Sequence, residues 1–239
     1  YMVTWFLGTE ANGLYAVACK IPTILSLLST IFMEAWQFSA ISEATGDREV
    51  HIRFYSQVWG FFLSAMVLVG SVMIVLCRLE IRVLAARSYY SAWQYVPVLA
   101  MAMVFSAFSS FMNSVYVVME KSHLSLWTAV WGAGANILMN LWMIPRIGIQ
   151  GAAIATLVSY LMCFGIRAVS ARRLIPFRLY PGRLTVSTGL LLLQSALCFW
   201  GSPIQPFAQM GAFVLLVTVN HKPIFEMLEQ VLRIIRRRA

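Results

Sequence analysis

The feature that most constrains this chain is a pair of apolar runs joined by a short turn at residues 136–160, which read NILMNLWMIPRIGIQGAAIATLVSY. Pro145 is expected to end the first helix, because proline has no backbone N–H and clashes with the preceding turn. Gly148 and Gly151 allow a tight reversal and a close backbone approach. Arg146 marks the water interface. The stretch therefore predicts a helical hairpin that crosses a bilayer twice.

Charged residues are scarce, at 11% of the 239 residues, whereas 60% are hydrophobic. Soluble domains carry about a quarter charged residues, so the composition predicts an integral membrane protein. The net charge of +9 is expected to lie in cytoplasmic loops and not to bind nucleic acid. Because the chain begins at Tyr1 and not at Met, we expect a piece of a longer polytopic protein.

Seven apolar segments meet or approach the roughly 20 residues that a spanning helix needs. They lie at 13–41, 58–77, 94–119, 124–144, 149–170, 184–200 and 204–220. The last two are predicted as separate thin spans, with one broken re-entrant unit as the alternative. Residues 1–220 are thus predicted to form an all-α transmembrane helix bundle. Residues 221–239 are predicted to form a basic amphipathic cytoplasmic tail whose helix begins at Pro223.

The distribution of Lys and Arg predicts the orientation of the bundle. If the C-terminus is cytoplasmic, thirteen of the eighteen cationic residues lie on the inner side. Four lie on the outer side, and these are Arg78, Arg82, Arg87 and Arg146. Lys20 falls within a span. The outer segment 78–95 is predicted to lie along the interface as a short amphipathic helix.

Three polar residues of the first segment are candidate cavity residues, because ionisable groups at membrane depth usually face water or a partner. Lys20 is suited to an anion such as a lipid diphosphate, or its side chain extends to the outer headgroups. Glu34 lies close to four helical turns further on, near the same face, and Gln37 follows it. A cation partner, a coupling proton and a protonated packing role all remain open for Glu34.

Two polar stripes provide further cavity candidates. Ser106, Ser110 and Asn113 are spaced i, i+4, i+7 in the third segment, and Asn136 and Asn140 follow Gly132 at the same helical spacing in the fourth. Such stripes line a hydrophilic cavity or form interhelical hydrogen bonds and close packing.

Three other residues are expected to have simpler roles. Arg167 is expected to extend to the inner headgroups, and Pro22 and Pro97 to kink their helices.

Catalytic and metal-binding motifs are not apparent in the sequence. It contains no H-E-x-x-H, G-x-S-x-G or P-loop pattern. The four cysteines lack C-x-x-C spacing, so neither a disulfide framework nor a zinc site is expected. The cluster Asp47, Glu49 and His51 is best interpreted as a solvated turn. We therefore expect a protein that is not an enzyme and needs no metal or cofactor.

Three ordered stretches resemble a known transporter family. They are GLYAVACKIPTILSLLSTIFMEAWQFSAI at 13–41, AARSYYSAWQYVPVLAMA at 85–102 and NILMNLWMIPRIGIQGAAIATLVSYL at 136–161. In order and spacing they are similar to the C-terminal half of polysaccharide-biosynthesis flippases, the lipid-linked oligosaccharide exporters of the MATE-like MOP superfamily. With the intervening spans, the resemblance covers nearly the whole chain.

The resemblance implies the second bundle of a two-bundle, alternating-access transporter in the bacterial inner membrane. Its implied cargo is an undecaprenyl-diphosphate-linked oligosaccharide moved to the outer leaflet, with Lys20 as the position best suited to the diphosphate. A proton or sodium gradient is the candidate driving force, and a glycan polymerase and chain-length machinery are candidate partners. The alternatives are a MATE-type drug or cation exporter, centred on Glu34, a membrane-embedded glycan polymerase or acyltransferase, and a non-transporting scaffold.

Overall fold

The protein is built from helices in the part that the structure describes. The computed structural model describes the backbone of residues 1–43 and 48–238, and the side chains of residues 1–36, 48–227 and 229. Within this part every regular element is helical. The elements are α1 (Met2–Lys20), α2 (Thr23–Glu43), α3 (Arg48–Leu84), a 3-10 helix (Arg87–Gln94), α4 (Val96–Val118), α5 (Ser122–Ile147), α6 (Ile149–Leu174), α7 (Pro181–Leu197) and α8 (Gln205–Arg238).

Several of these helices are long and apolar enough to cross a membrane. Among the described residues α3, α4 and α6 each meet that criterion alone, and α1 with Thr23–Trp36 meets it as a bent pair. The chain is therefore a helical protein with three to four candidate spans. In the same described part α5, α7 and α8 fall short of the criterion, so seven spans remain a prediction.

The first predicted span is not one continuous helix. The helix that covers its start begins earlier, at Met2, and ends at Lys20, and α2 begins at Thr23 with a bend of 41° between the two. The bend falls at Pro22, as predicted, because proline removes one backbone donor. Pro97 does not produce a kink, because it lies in the first turn of α4, where its missing N–H has no helical partner to lose.

The α5–α6 hairpin is present, but its turn differs from the prediction at one residue. Pro145 lies inside α5, which continues to Ile147. The helix ends instead at Gly148, whose φ of 63° lies in the region that favours glycine. A Cβ on Gly151 would lie 2.6 Å from the carbonyl oxygen of Met143, so the end of α5 and the start of α6 are in backbone contact.

The C-terminal helix α8 also runs through a proline. It is continuous from Gln205 to Arg238, with Pro223 inside it, so Pro223 does not begin a separate tail helix. Most side chains of the predicted tail 221–239 lie outside the described residues. The segment 78–95 is likewise not one interfacial helix, because α3 extends to Leu84 before the 3-10 helix begins.

The core of the bundle is aromatic and lies between α2, α3, α4 and α6. Trp59 is fully buried at its centre. Its ring centroid lies 5.2 Å from those of Phe108 and Phe111 and 6.1 Å from that of Phe164. Ring pairs at these distances add about 0.5–1.5 kcal/mol each beyond the burial of their area. This core holds α4 and α6 in place beside the site described below.

Buried polar side chains join α3, α7 and α8. Ser71 donates to Gln194 at 2.8 Å, and Gln209 donates to the Gln194 carbonyl at 2.8 Å. Asn220 donates to Ser187 at 3.0 Å and accepts from Ser64 at 3.2 Å. Interhelical hydrogen bonds of this kind average about 0.6 kcal/mol each in membrane proteins. These three helices therefore form one cross-linked group.

Candidate functional site

The main candidate site is a polar cavity of about 500 Å³ between α4, α5 and α6. Small residues on α5, namely Ala129, Gly132 and Ala133, leave room for it. The remaining lining residues are mostly hydroxyl, amide or thiol groups, and they are Ser106, Ser109, Ser110, Asn136, Thr156, Ser159, Tyr160, Cys163 and Arg167. A space of this size, rich in hydrogen-bonding groups, lies within a largely apolar helical protein.

Arg167 supplies the positive charge of this cavity. Its Nε donates to the Thr128 hydroxyl at 2.9 Å, and its Nη1 donates to the Ser109 carbonyl at 3.1 Å. Its Nη2 lies 3.5 Å from the Ser125 carbonyl. All three acceptors are neutral, so they hold the guanidinium in position without cancelling its charge. A planar guanidinium held in this way is suited to binding phosphate oxygens in pairs.

The position of Arg167 differs from the expectation that it extends to the headgroups. Its side chain is half-buried and turned between α4 and α5. A sequence pattern could have indicated this, because Thr156, Tyr160, Cys163 and Arg167 are spaced i, i+4, i+7, i+11 on α6.

A second cavity of about 240 Å³ adjoins the first and contains Glu34. The two cavities share Ser106 and Ser110 of α4, so these two members of the predicted α4 stripe face both, whereas Asn113 lines neither. The Glu34 cavity is otherwise lined mainly by hydroxyl groups of α2, those of Ser26, Ser29 and Thr30. Oxygen ligands of this kind suit hard cations. A carboxylate and a guanidinium thus lie in neighbouring polar spaces.

The predicted asparagines separate into different environments. Asn136 lines the main cavity and donates to Ser159 of α6 at 3.1 Å. Asn140 is buried and donates to the side chain and the carbonyl of Asn136, both at 2.9 Å. Asn113 accepts from Ser125 at 2.6 Å and joins α4 to α5. Asn140 and Asn113 are therefore engaged in packing contacts, whereas Asn136 faces the cavity.

Lys20 lies apart from these residues. It borders a smaller, mostly apolar cavity with residues of α1, α2 and the end of α3, and none of them lines the two polar cavities. Lys20 and Glu34, which a single straight helix would place near one face, line different cavities on either side of the bend at Pro22. The side chain of Gln37 lies outside the described residues.

The cysteines and acidic residues give no metal centre in the part that the structure describes. There, no three His, Cys, Asp or Glu residues come together in a metal-binding group. Asp47, one member of the cluster noted in the sequence, lies outside the described residues. All four cysteines are free, and the Sγ atoms of Cys77 and Cys198 lie 4.0 Å apart.

Comparisons of this chain with models of protein families, with curated proteins and with solved structures gave no match, so no family is assigned to it.

Proposed function

We propose that this chain is the second bundle of a two-bundle flippase for an undecaprenyl-diphosphate-linked oligosaccharide. The observation that carries the proposal is the polar cavity between α4, α5 and α6 with Arg167 at its wall. The resemblance of the three ordered stretches to polysaccharide-biosynthesis flippases supports the same function. In this proposal all seven predicted segments cross the membrane.

The chemistry of such a cargo explains why a cavity of this kind is needed. A diphosphate-sugar headgroup cannot enter hydrocarbon without losing its hydration, and that cost is large for charged groups. A hydroxyl- and amide-lined groove replaces the lost water, while the prenyl chain stays in the surrounding lipid. The guanidinium of Arg167 supplies the countercharge for the diphosphate, and Asn136, Ser109 and Ser110 are placed to bind sugar hydroxyls.

The proposal changes the role first expected for Lys20. Since Lys20 borders a different cavity, the diphosphate contact is assigned to Arg167. In this proposal Glu34 is the carboxylate that binds the coupling proton or sodium ion. In the same proposal the protein lies in the bacterial inner membrane with its C-terminus in the cytoplasm. The glycan polymerase and the chain-length machinery remain proposed partners.

A MATE-type exporter of cations is the second candidate. The specific observation in its favour is Glu34, whose carboxylate lies with several hydroxyl groups in the adjoining cavity. A cation substrate would depend on this carboxylate and would be repelled by Arg167. The two functions therefore differ in the expected effect of neutralising Arg167, which should impair a flippase and spare a cation exporter.

The experiment is a flipping assay with the full-length protein in proteoliposomes that contain a fluorescent undecaprenyl-diphosphate oligosaccharide. We expect Arg167→Gln to weaken cargo binding about tenfold or more, because a hydrogen bond to a charged group contributes about 1.5–3 kcal/mol. At low cargo concentrations the flipping rate should fall by the same factor. Arg172→Gln is the matched control, since Arg172 is an exposed arginine of the same helix. Its flipping rate should equal that of the wild type.

Two results would reject the flippase in favour of another function. One is unchanged flipping by Arg167→Gln with normal amounts of folded protein. The other is efflux of an organic cation that Glu34→Gln abolishes while Arg167→Gln preserves it, which would identify the exporter.

A further inference from the structure

Two adjoining cavities lie where the end of α3 meets the α1–α2 bend and the 3-10 helix. The first, of about 230 Å³, is lined by apolar residues that include Val17, Ile21 and Ile24, with Lys20 at its edge. The second, of about 410 Å³, is lined by Arg82, Arg87 and Tyr90, among others. Ile81 of α3 and Ala85, which follows it, border both cavities, so the two adjoin. We refer to the pair as the α3-end site.

The polar half of the α3-end site is cationic. Arg82 and Arg87 border it, Lys20 lies at the edge of the adjoining apolar cavity, and among the described lining residues of both cavities there is no carboxylate. The guanidinium of Arg82 lies over the ring of Tyr90, with 5.8 Å between its Cζ and the ring centroid. Three like charges around one space repel each other unless an anion lies between them, so the space favours an anionic group. Phosphate oxygens match the two guanidinium groups.

The other half of the site is an apolar slot with an exposed edge. Ile24 is 46% exposed and Leu84 is 68% exposed at its edge. The neighbouring Leu79 and Val83 of α3 are exposed too, at 52% and 71%, and they continue the apolar surface along the helix. In a membrane such side chains face acyl chains. A slot of this kind beside a cationic space fits an amphiphile, with its chain in the slot and its headgroup among the cations.

We propose that the α3-end site binds an anionic phospholipid, with its phosphodiester between Arg82 and Arg87 and the start of one acyl chain in the slot. Lys20 then contributes a third charge at the junction of headgroup and chain. A bilayer phospholipid is favoured as occupant because the exposed apolar edge of the slot, at Ile24 and Leu84, continues along the candidate span α3. The site shares no lining residue with the polar cavities, and the proposal goes beyond transport and does not depend on it.

The test is the retention of lipid by the purified full-length protein, measured by native mass spectrometry after incubation with phosphatidylglycerol. We expect the double variant Arg82→Gln/Arg87→Gln to bind phosphatidylglycerol about thirtyfold more weakly, because each cation near an anionic headgroup contributes a factor of roughly five. Arg146→Gln is the control, since Arg146 is an exposed arginine in contact with the Trp142 ring elsewhere. It should retain phosphatidylglycerol as the wild type does.

A second variant tests the apolar slot without a change in charge. Ala85→Leu places a larger side chain where the two cavities meet, so it should also reduce phosphatidylglycerol binding. Wild-type retention by both the double variant and Ala85→Leu would overturn the proposal, as would an equal loss in Arg146→Gln. Displacement of phosphatidylglycerol by an equimolar amount of undecaprenyl phosphate would overturn the assigned occupant, because it would identify the site as one for isoprenoid phosphates.

Discussion

Replacement of Gly151 by alanine should loosen the α5–α6 hairpin. The added Cβ would lie 2.6 Å from the oxygen and 2.7 Å from the carbon of the Met143 carbonyl, whereas ordinary contacts begin near 3.4 Å. The start of α6 must therefore move by about 0.8 Å relative to α5. The atoms that it meets belong to the backbone, so no side chain can rotate to relieve the contact. Overpacking of this kind costs about 1–3 kcal/mol.

Gly165→Ala is the matched control for this prediction. Gly165 lies in the same helix, and nothing lies within 4 Å of the position that its Cβ would take. Both variants gain about 0.5–1 kcal/mol from the preference of alanine over glycine in helices. The difference between them therefore isolates the contact with Met143.

The assay is thermal unfolding of the purified protein in detergent. Size-exclusion chromatography of heated samples measures the fraction that remains folded. For a chain of this length, about 1–3 kcal/mol corresponds to a difference in Tm of roughly 2–12 °C. We expect Gly151→Ala to unfold at the lower temperature and Gly165→Ala to match or exceed the wild type. Equal Tm values for the two variants would show that the hairpin does not depend on this close backbone contact.

Three further predictions test other parts of the structure. Oxidation with a copper–phenanthroline catalyst should join Cys77 and Cys198 into an intramolecular disulfide, because their Sγ atoms lie 4.0 Å apart; free thiols at both positions after oxidation would contradict this packing. Asn220→Ala should lower stability by about 1–2 kcal/mol, since it removes two buried hydrogen bonds, one to Ser187 and one from Ser64, and leaves Ser64 only its bond to the Gly60 carbonyl; thermal unfolding measures the loss. In a cysteine-free background, an impermeant thiol reagent added outside cells should label Arg82→Cys but not Arg173→Cys, and the reverse pattern would invert the proposed orientation.

Local backbone chemistry made the α5–α6 hairpin predictable. The reversal occurs at Gly148 and the close approach at Gly151, as expected from residues that lack a Cβ. The prediction that Pro145 ends α5 was wrong for a physical reason. A proline near the end of a helix removes only one hydrogen bond, and the helix continued for two more residues before Gly148 ended it. Pro223 lies near the middle of α8, and that helix also continues through its proline.

The candidate site was only partly predictable. Helical spacing correctly grouped Ser106 and Ser110, which face both polar cavities. The direction of the Arg167 side chain does not follow from its position near a helix end, although its spacing from Tyr160 and Cys163 indicates the face of α6 on which it lies. It depends on space left by the small residues of α5 and on acceptors such as Thr128 of that helix. Lys20 and Glu34 likewise fall in different cavities, one on each side of the 41° bend at Pro22, which helical spacing alone does not predict.

The length of α3 has a mechanical consequence. Its 37 residues extend about 55 Å, against roughly 30 Å of hydrocarbon, so the helix reaches beyond both faces of a bilayer or tilts strongly within it. Trp59, about a third of the way along α3, donates to the carbonyl of Leu179 at 3.0 Å, and Arg78, near the C-terminal end of α3, donates to that of Cys198 at 2.8 Å. These two carbonyls bracket α7. Because the two donors lie about 28 Å apart on one rigid helix, they hold the two ends of α7 at a fixed separation.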